Sequence, residues 1–141
     1  MGNRAVITFS TSKTTGAGVY LHWSGSLDHI LALCDGAKEL GYRDPATDPA
    51  YAMARLIGLA CFVDGPLSDS GLGVGQLREL DCDNFDNGVY VIGAGWELIK
   101  RWGAGSDPVT REIIGAARMT NHYHATRAHI HLIHGVQNDT N

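Results

Sequence analysis

The sequence has no long hydrophobic run and no excess of basic residues. No stretch approaches the ~18 consecutive apolar residues that a membrane-spanning helix needs, and Met1–Ser10 lacks the apolar core of a secretion signal. Charged residues make up only 18% of the 141 residues, and the net charge is −4. A general nucleic-acid binder carries a basic stripe. We therefore expect a cytoplasmic protein that binds neither membranes nor nucleic acids directly.

Cysteine is also scarce. Cys34, Cys61 and Cys82 are an odd number at wide spacing, and they match no metal-binding or redox motif. We expect unpaired thiols, which suit a reducing cytosol. The low charged fraction adds a second expectation, because a charge-poor surface is often covered in part by another subunit.

Four segments have the pattern of β-strands. Asn3–Ser10 and Gly18–Gly25 alternate between apolar and polar residues, as half-buried strands do. Val89–Ile92 and Trp96–Trp102 follow later in the chain. Before them, the glycine-rich stretch Asp64–Gly75 indicates a turn or an irregular edge strand, and it lacks the lysine of a phosphate-binding loop. We expect an antiparallel sheet of about four strands.

Two helices are predicted to cover this sheet. The first runs over Leu27–Leu40, after the N-cap candidate Ser26 and before the stop signal Gly41. The second, Ala50–Val63, is apolar on all sides except for Arg55, which predicts burial on several sides. Arg55 then either extends to the surface or is a buried cation that binds an anionic ligand. The predicted antiparallel sheet and the helices that cover it together indicate the fold class α+β.

Three aspartates lie in the short stretch Leu80–Gly88, which raises the question of a cation site. In the calcium-loop pattern, Phe85 and Ala94 stand where oxygen ligands are needed. The match therefore fails, and the stretch is interpreted as a turn before a strand. A solvated acidic loop is the alternative for these residues: Asp81, Asp83 and Asp86.

The last quarter of the sequence has a helical pattern. It begins after Asp107-Pro108, an N-cap followed by proline, and continues to Ile133, with a possible break at Asn121-His122. We expect a core domain over residues 1–102 and a histidine-rich helical extension over residues 103–141. One apolar seam of this extension is predicted to mediate self-association: Ala116, Met119, Tyr123, Thr126, Ile130 and Ile133.

Histidines are concentrated in the extension, where five of the seven lie between positions 122 and 134. No pair has the i, i+4 spacing of the zinc-protease motif, so a metal site is not the favoured interpretation. At 100° per residue, one set of side chains shares a helix face that we place opposite the seam. Such a face either binds a phosphate or carboxylate or is an ordinary solvated surface: His124, Arg127, His131 and His134.

Tyr20 and His22 share the non-core face of the second strand, so they either line a pocket or lie on the surface. No nucleophile–base–acid set can be assembled, because no nucleophile motif is present and no cysteine has an activating neighbour in the sequence. We therefore predict no catalytic residues and no cofactor.

Residues 1–102 resemble a loose family of small uncharacterised proteins of phages and prophages. The matching stretches are Met1–Thr8 (MGNRAVIT), Tyr20–Gly25 (YLHWSG), Leu80–Asn84 (LDCDN) and Asp86–Ile92 (DNGVYVI). The histidine-rich extension departs from that pattern. The resemblance implies an accessory protein of a mobile element, acting in the cytoplasm of the bacterial host, and such proteins often counteract host defence.

The leading hypothesis is a non-enzymatic homo-oligomer that sequesters a nucleotide-like immune signal. Its predicted ligand residues are Tyr20, His22, Arg55, His124, Arg127, His131 and His134. An inhibitor that occludes a defence protein, in the manner of an anti-CRISPR protein, is an alternative. A metal-dependent nuclease or phosphodiesterase is another, combining the clustered histidines with Asp81, Asp83 or Asp86. A structural virion component is the third.

Overall fold

One mixed five-stranded sheet carries four α-helices in the part of the chain that the computed structural model describes, residues 3–65 and 71–139, with side chains as far as residue 133. The strands lie in the order β3-β2-β1-β4-β5. They are β1 (Ala5–Thr8), β2 (Ala17–Leu21), β3 (Leu72–Gln76), β4 (Val89–Ile92) and β5 (Leu98–Trp102). The helices are α1 (Leu27–Glu39), α2 (Pro49–Asp64), α3 (Arg111–Ala117) and α4 (Asn121–Asp139).

The predicted α+β class is confirmed, with two differences in the sheet. It has five strands rather than about four, because the glycine-rich stretch forms β3 against β2. Glycines at alternate positions, Gly73 and Gly75, hide the alternation that identifies a strand in the sequence. The sheet is also mixed rather than antiparallel, since the long connection through α1, α2 and β3 places β4 parallel to β1.

Different segments of the chain pack on the two faces of the sheet. Ile7, Val19 and Tyr90 pack with residues of α1 and α2 in the main core, as the alternation of the first two strands predicted. Val6 and Val89 point to the other face, where the segment that starts at Leu77 and the ring of Trp102 cover them. Burial on both faces explains why the central strands β1 and β4 are buried along their whole length.

Helix α2 begins as predicted but is not buried on several sides. The Asp48 side chain accepts a hydrogen bond from the backbone N–H of Tyr51, and Pro49 takes the first helical position. Only one face of the helix is buried, including Leu56 and Leu59. The opposite face lies open, so Arg55 is an exposed cation rather than a buried one.

The C-terminal helical segment is broken, and its seam packs within its own chain. The chain turns over residues 118–120, just before the possible break at Asn121-His122, so α3 and α4 are two helices. Helix α3 begins at Arg111, with Thr110 as its N-cap, rather than after Asp107-Pro108 as predicted. Tyr123 packs against Leu31 of α1. Ile130 enters the main core where α1 has Gly36, and a Cβ at that glycine would lie 2.7 Å from Ile130 Cδ1. The middle of the predicted seam is therefore buried against α1 and not available to another copy.

Charged groups complete this α1–α4 contact. The Asp35 carboxylate accepts hydrogen bonds from Arg118 Nε at 2.9 Å and from the Tyr123 hydroxyl at 2.6 Å. One turn further along α1, Glu39 pairs with Arg127.

Among the described residues, no helix is long and apolar enough to cross a membrane.

We expect Tyr90→Phe to lower the free energy of unfolding by about 1–2 kcal/mol. The Tyr90 hydroxyl is buried and donates to the carbonyl oxygen of Gly25 at 2.8 Å, which ties β4 to the start of α1. The substitution would leave that carbonyl unpaired with little change of volume. The measurement is urea unfolding followed by circular dichroism.

The control for this variant is Tyr51→Phe. The Tyr51 ring is half-buried beneath Arg43 and Arg55, and its hydroxyl makes no hydrogen bond within residues 3–65 and 71–133. Equal stability of the Tyr90 variant and the wild type would show that the buried hydroxyl does not fix β4 to the segment before α1.

Candidate functional site

A cleft of about 320 Å³ opens where five segments converge. They are the segment before β1, the segment between β2 and α1, the first turn of α1, the last residue of α2 and the first turn of α4. We call it the histidine cleft, because two imidazoles face it beside two carboxylates. Its lining side chains include Asn3, Trp23, Asp28, His29, Asp64 and His122.

Three of these side chains, Asp64, His29 and His122, contact one another in series. His29 Nδ1 lies 2.9 Å from His122 Nε2, so the two rings share one hydrogen bond. On its other side, His29 Nε2 lies 3.1 Å from Asp64 Oδ1. If His122 donates to His29, then His29 keeps its own proton on Nε2, next to the carboxylate of Asp64.

His29 is the buried centre of this arrangement, with 3% of its surface exposed. Its Nε2 is close enough to Asp64 for an ion pair, but the ring N–H does not point at the carboxylate oxygen. The direction of the N–H decides whether a hydrogen bond forms, because hydrogen bonds weaken steeply with misalignment. Within the described residues, His29 Nε2 therefore has no aligned hydrogen-bond acceptor.

Asp28 brings the second carboxylate into the cleft, and its surroundings keep it ionised. Burial raises its pKa, but hydrogen bonds from Ser26 and Thr120, together with His122, outweigh that effect and lower the pKa below its usual value. The bond from the Thr120 hydroxyl, at 2.8 Å, also ties the α3–α4 turn to the start of α1.

Trp23 stands at the edge of the cleft with 53% of its surface exposed. The ring of His22 meets it edge-on, with the ring centroids 4.3 Å apart. His22 Nδ1 in turn lies 2.7 Å from the hydroxyl of Tyr20, whose pKa is raised by burial. Of the predicted site residues, His22 therefore contacts the tryptophan that lines the cleft, and Tyr20 contacts His22, but neither lines the cleft itself.

The other predicted site residues make contacts elsewhere. Arg55 stacks on the ring of Tyr51, with its guanidinium carbon 4.8 Å from the ring centroid. Arg127 and His131 both contact Glu39 of α1, the latter at 2.9 Å.

The helix face that was expected to bind an anion therefore already has carboxylate partners. It lies beside the buried seam rather than opposite it. His124 is exposed against the ring of Tyr123, with the centroids 5.3 Å apart. The side chain of His134 lies outside the described part of the structure.

The acidic loop before β4 has a structural role. Its buried Asn84 accepts hydrogen bonds from three backbone N–H groups and donates two to carbonyl oxygens. Arg4 pairs with Asp86 at 2.8 Å and with Asp81 at 3.3 Å. Among the described residues, no three His, Cys, Asp or Glu side chains are placed to hold a metal ion.

Two of the three cysteines, Cys34 and Cys82, are poorly suited to nucleophilic chemistry. Burial, with the neighbouring Asp35, raises the pKa of Cys34, and burial with Asp83 and Asp81 raises that of Cys82. A reactive cysteine needs a lowered pKa instead.

A larger groove of about 780 Å³ lies between the β1–β2 loop and α2, away from all of these groups. Its walls are apolar, with Phe9, Met53 and Ile57 among them, and no titratable side chain lines it. Its size alone does not supply polar groups that could bind or convert a ligand, so we place the candidate site in the smaller histidine cleft.

No family model, no curated protein and no solved structure matches this chain. The resemblance of residues 1–102 to phage proteins therefore rests on the sequence motifs alone.

We expect Asp28→Asn to reduce the loss of stability in acid. A pKa that is lower in the folded than in the unfolded state adds stability above the unfolded value, and this is lost as the pH falls through the folded value. The wild type should therefore lose more unfolding free energy than the variant between about pH 5 and about pH 3. Urea titrations at both pH values measure the difference.

Asp83→Asn is the matched control, because that exposed carboxylate accepts only a long contact of 3.5 Å from the backbone N–H of Ala104. It should follow the wild type. If Asp28→Asn and the wild type lose the same stability, then Asp28 is not held ionised by its hydrogen bonds.

Proposed function

We propose that this chain is a phage-type accessory protein that counteracts a host defence system by binding a small nucleotide-like molecule in the histidine cleft, without altering it. The observation that carries the proposal is the exposed ring of Trp23 at the edge of a cleft with a polar floor. An indole offers a stacking surface to any nucleobase, worth about 1–3 kcal/mol per base.

The dimensions of the cleft support a small ligand. A volume of about 320 Å³ is at the lower end of the usual range for small-molecule sites, roughly 300–1,000 Å³, and suits a nucleoside better than a dinucleotide. A larger nucleotide ligand, such as a cyclic dinucleotide, would place one nucleoside in the cleft and the remainder outside. All of the lining residues named above belong to one chain, so the proposal does not require self-association, which stays a separate prediction.

Burial of His29 gives a second line of support. A buried ring nitrogen without an aligned partner costs about 1–3 kcal/mol. Stable folds rarely retain such groups unless a ligand, an ion or water completes them. The presence of one in the wall of a concave site is typical of a binding position.

An acid–base hydrolase is the second candidate, and one specific observation favours it. The series Asp64, His29 and His122 places a carboxylate behind two imidazoles, and a carboxylate behind an imidazole is how enzymes orient a general base. In that function His122, which is exposed, would exchange the proton with the substrate.

Thermal unfolding with a panel of nucleosides, nucleotides, cyclic dinucleotides and ADP-ribose derivatives tests the proposal. A ligand at about 100 times its Kd should stabilise the fold by about 2.7 kcal/mol and be recovered unchanged after heating. Trp23→Ala should remove most of the shift in melting temperature. Phe85→Ala is the control, because Phe85 is an exposed aromatic residue outside the cleft.

The outcomes separate the two candidates. Stabilisation with intact recovery supports the binding protein, whereas conversion of the ligand during incubation supports the hydrolase. If no member of the panel shifts the melting temperature or is converted, the proposed function is wrong.

A further inference from the structure

We propose that the histidine cleft takes the amino-bearing edge of a nucleobase and leaves the phosphate outside. The inference rests on the proposed function and adds to it which end of the ligand enters, and which bases are accepted. Adenine, guanine and cytosine carry an exocyclic amino group. Uracil has a carbonyl at the position of the amino group of cytosine, whereas hypoxanthine and unsubstituted purine have only a hydrogen where guanine and adenine, respectively, carry theirs.

The charges that line the cleft set this preference. Two carboxylates, Asp28 and Asp64, face it together with two imidazoles, and no lysine or arginine lines it in the described residues. Ionised carboxylates only accept hydrogen bonds. The ligand must therefore supply donors, and a phosphate, which supplies only acceptors and negative charge, would be repelled.

Two arginines that are close in sequence to residues of the cleft pair with other carboxylates. Arg4 pairs with Asp86 and Asp81 at the loop before β4. Arg118 pairs with Asp35 on α1 at 2.9 Å. Because neither guanidinium lines the cleft, neither neutralises a phosphate there without giving up a formed ion pair.

The proposed binding position for the amino group of the base lies at His29 and Asp64. His29 is 97% buried, lines the cleft and has an Nε2 with no aligned acceptor among the described residues. The neighbouring carboxylate of Asp64 retains 13% exposure, so it is the group of this pair that a ligand can reach. An amino group that donates to Asp64 gives that carboxylate an aligned partner, which the misaligned His29 contact does not.

His122 lies beside His29 in this arrangement, with 2.9 Å between its Nε2 and His29 Nδ1. If His122 donates in this hydrogen bond, the proton of His29 lies on Nε2, next to Asp64. Trp23 stacks on the face of the base while the amino edge points inward. The sugar and phosphate then lie toward the opening.

Three matched pairs of nucleosides test the inference, measured by isothermal titration calorimetry on the full chain. The pairs are guanosine against inosine, cytidine against uridine, and adenosine against purine riboside. In each pair the amino-bearing member should bind about 10- to 100-fold more tightly, as expected for a hydrogen bond to a charged group. Pyrophosphate added in excess should not displace it.

Two variants locate the preference in the cleft. Asp64→Asn should reduce the ratio within each pair to less than about threefold, because a neutral amide replaces one of the two accepting oxygens with a donating NH2 group. Asp28→Asn is the second variant should the first fail to fold. Asp83→Asn is the control for both, because Asp83 does not line the cleft, and it should keep the wild-type ratios.

The failures are distinguishable. If the members of each pair bind equally, or if pyrophosphate displaces them, then the inference is wrong while the proposed binding function stands. If none of the six nucleosides binds and no nucleotide stabilises the fold, then both are wrong. If neither Asp64→Asn nor Asp28→Asn changes the affinity ratio within the pairs, the amino group is recognised outside the cleft, and the inference is wrong.

Discussion

The contact between α1 and α4 is the constraint on which the rest of the structure depends. Helix α1 packs on the sheet and α2 with one side and on α4 with another, so it has no free apolar stripe. Gly36 lets Ile130 approach closely, and Asp35 anchors Arg118 and Tyr123. This fixed docking brings His122, at the start of α4, within hydrogen-bonding distance of His29.

The histidine cleft is therefore a product of tertiary structure rather than of a local motif. Its wall combines the segments before β1 and after β2 with two helix N-termini and one helix C-terminus, and 93 residues separate His29 from His122. Carboxylates at Asp28 and Asp64 offset the positive ends of the α1 and α4 dipoles. A site at helix N-termini would otherwise favour anions, and this balance of charge distinguishes the cleft from a phosphate site.

Patterns within one element were readable from the sequence, whereas pairings between elements were not. The alternation in β1 and β2 indicated the fold class, and the cap at Asp48 gave the start of α2. The cap predicted at Asp107-Pro108 was wrong, since α3 begins at Arg111 after Thr110. The partners of Asp64 and His29 could not be derived, because no fixed spacing joins residues on different helices. His122 was counted among clustered histidines, while its one close imidazole partner lies on α1. The seam of α4 was correctly seen as apolar, but a sequence does not say whether such a face meets its own chain or another.

The position of Trp23 has a spectroscopic consequence. Trp96 is 4% exposed beside Phe9, and Trp102 is half-buried under the sheet, so both indoles have environments that a ligand in the cleft does not reach. Trp23 is the indole at the cleft, and it is more than half exposed. Emission from this protein therefore contains a constant contribution and one that responds to occupancy, so fluorescence quenching and a blue shift on binding would report the local event without an attached dye.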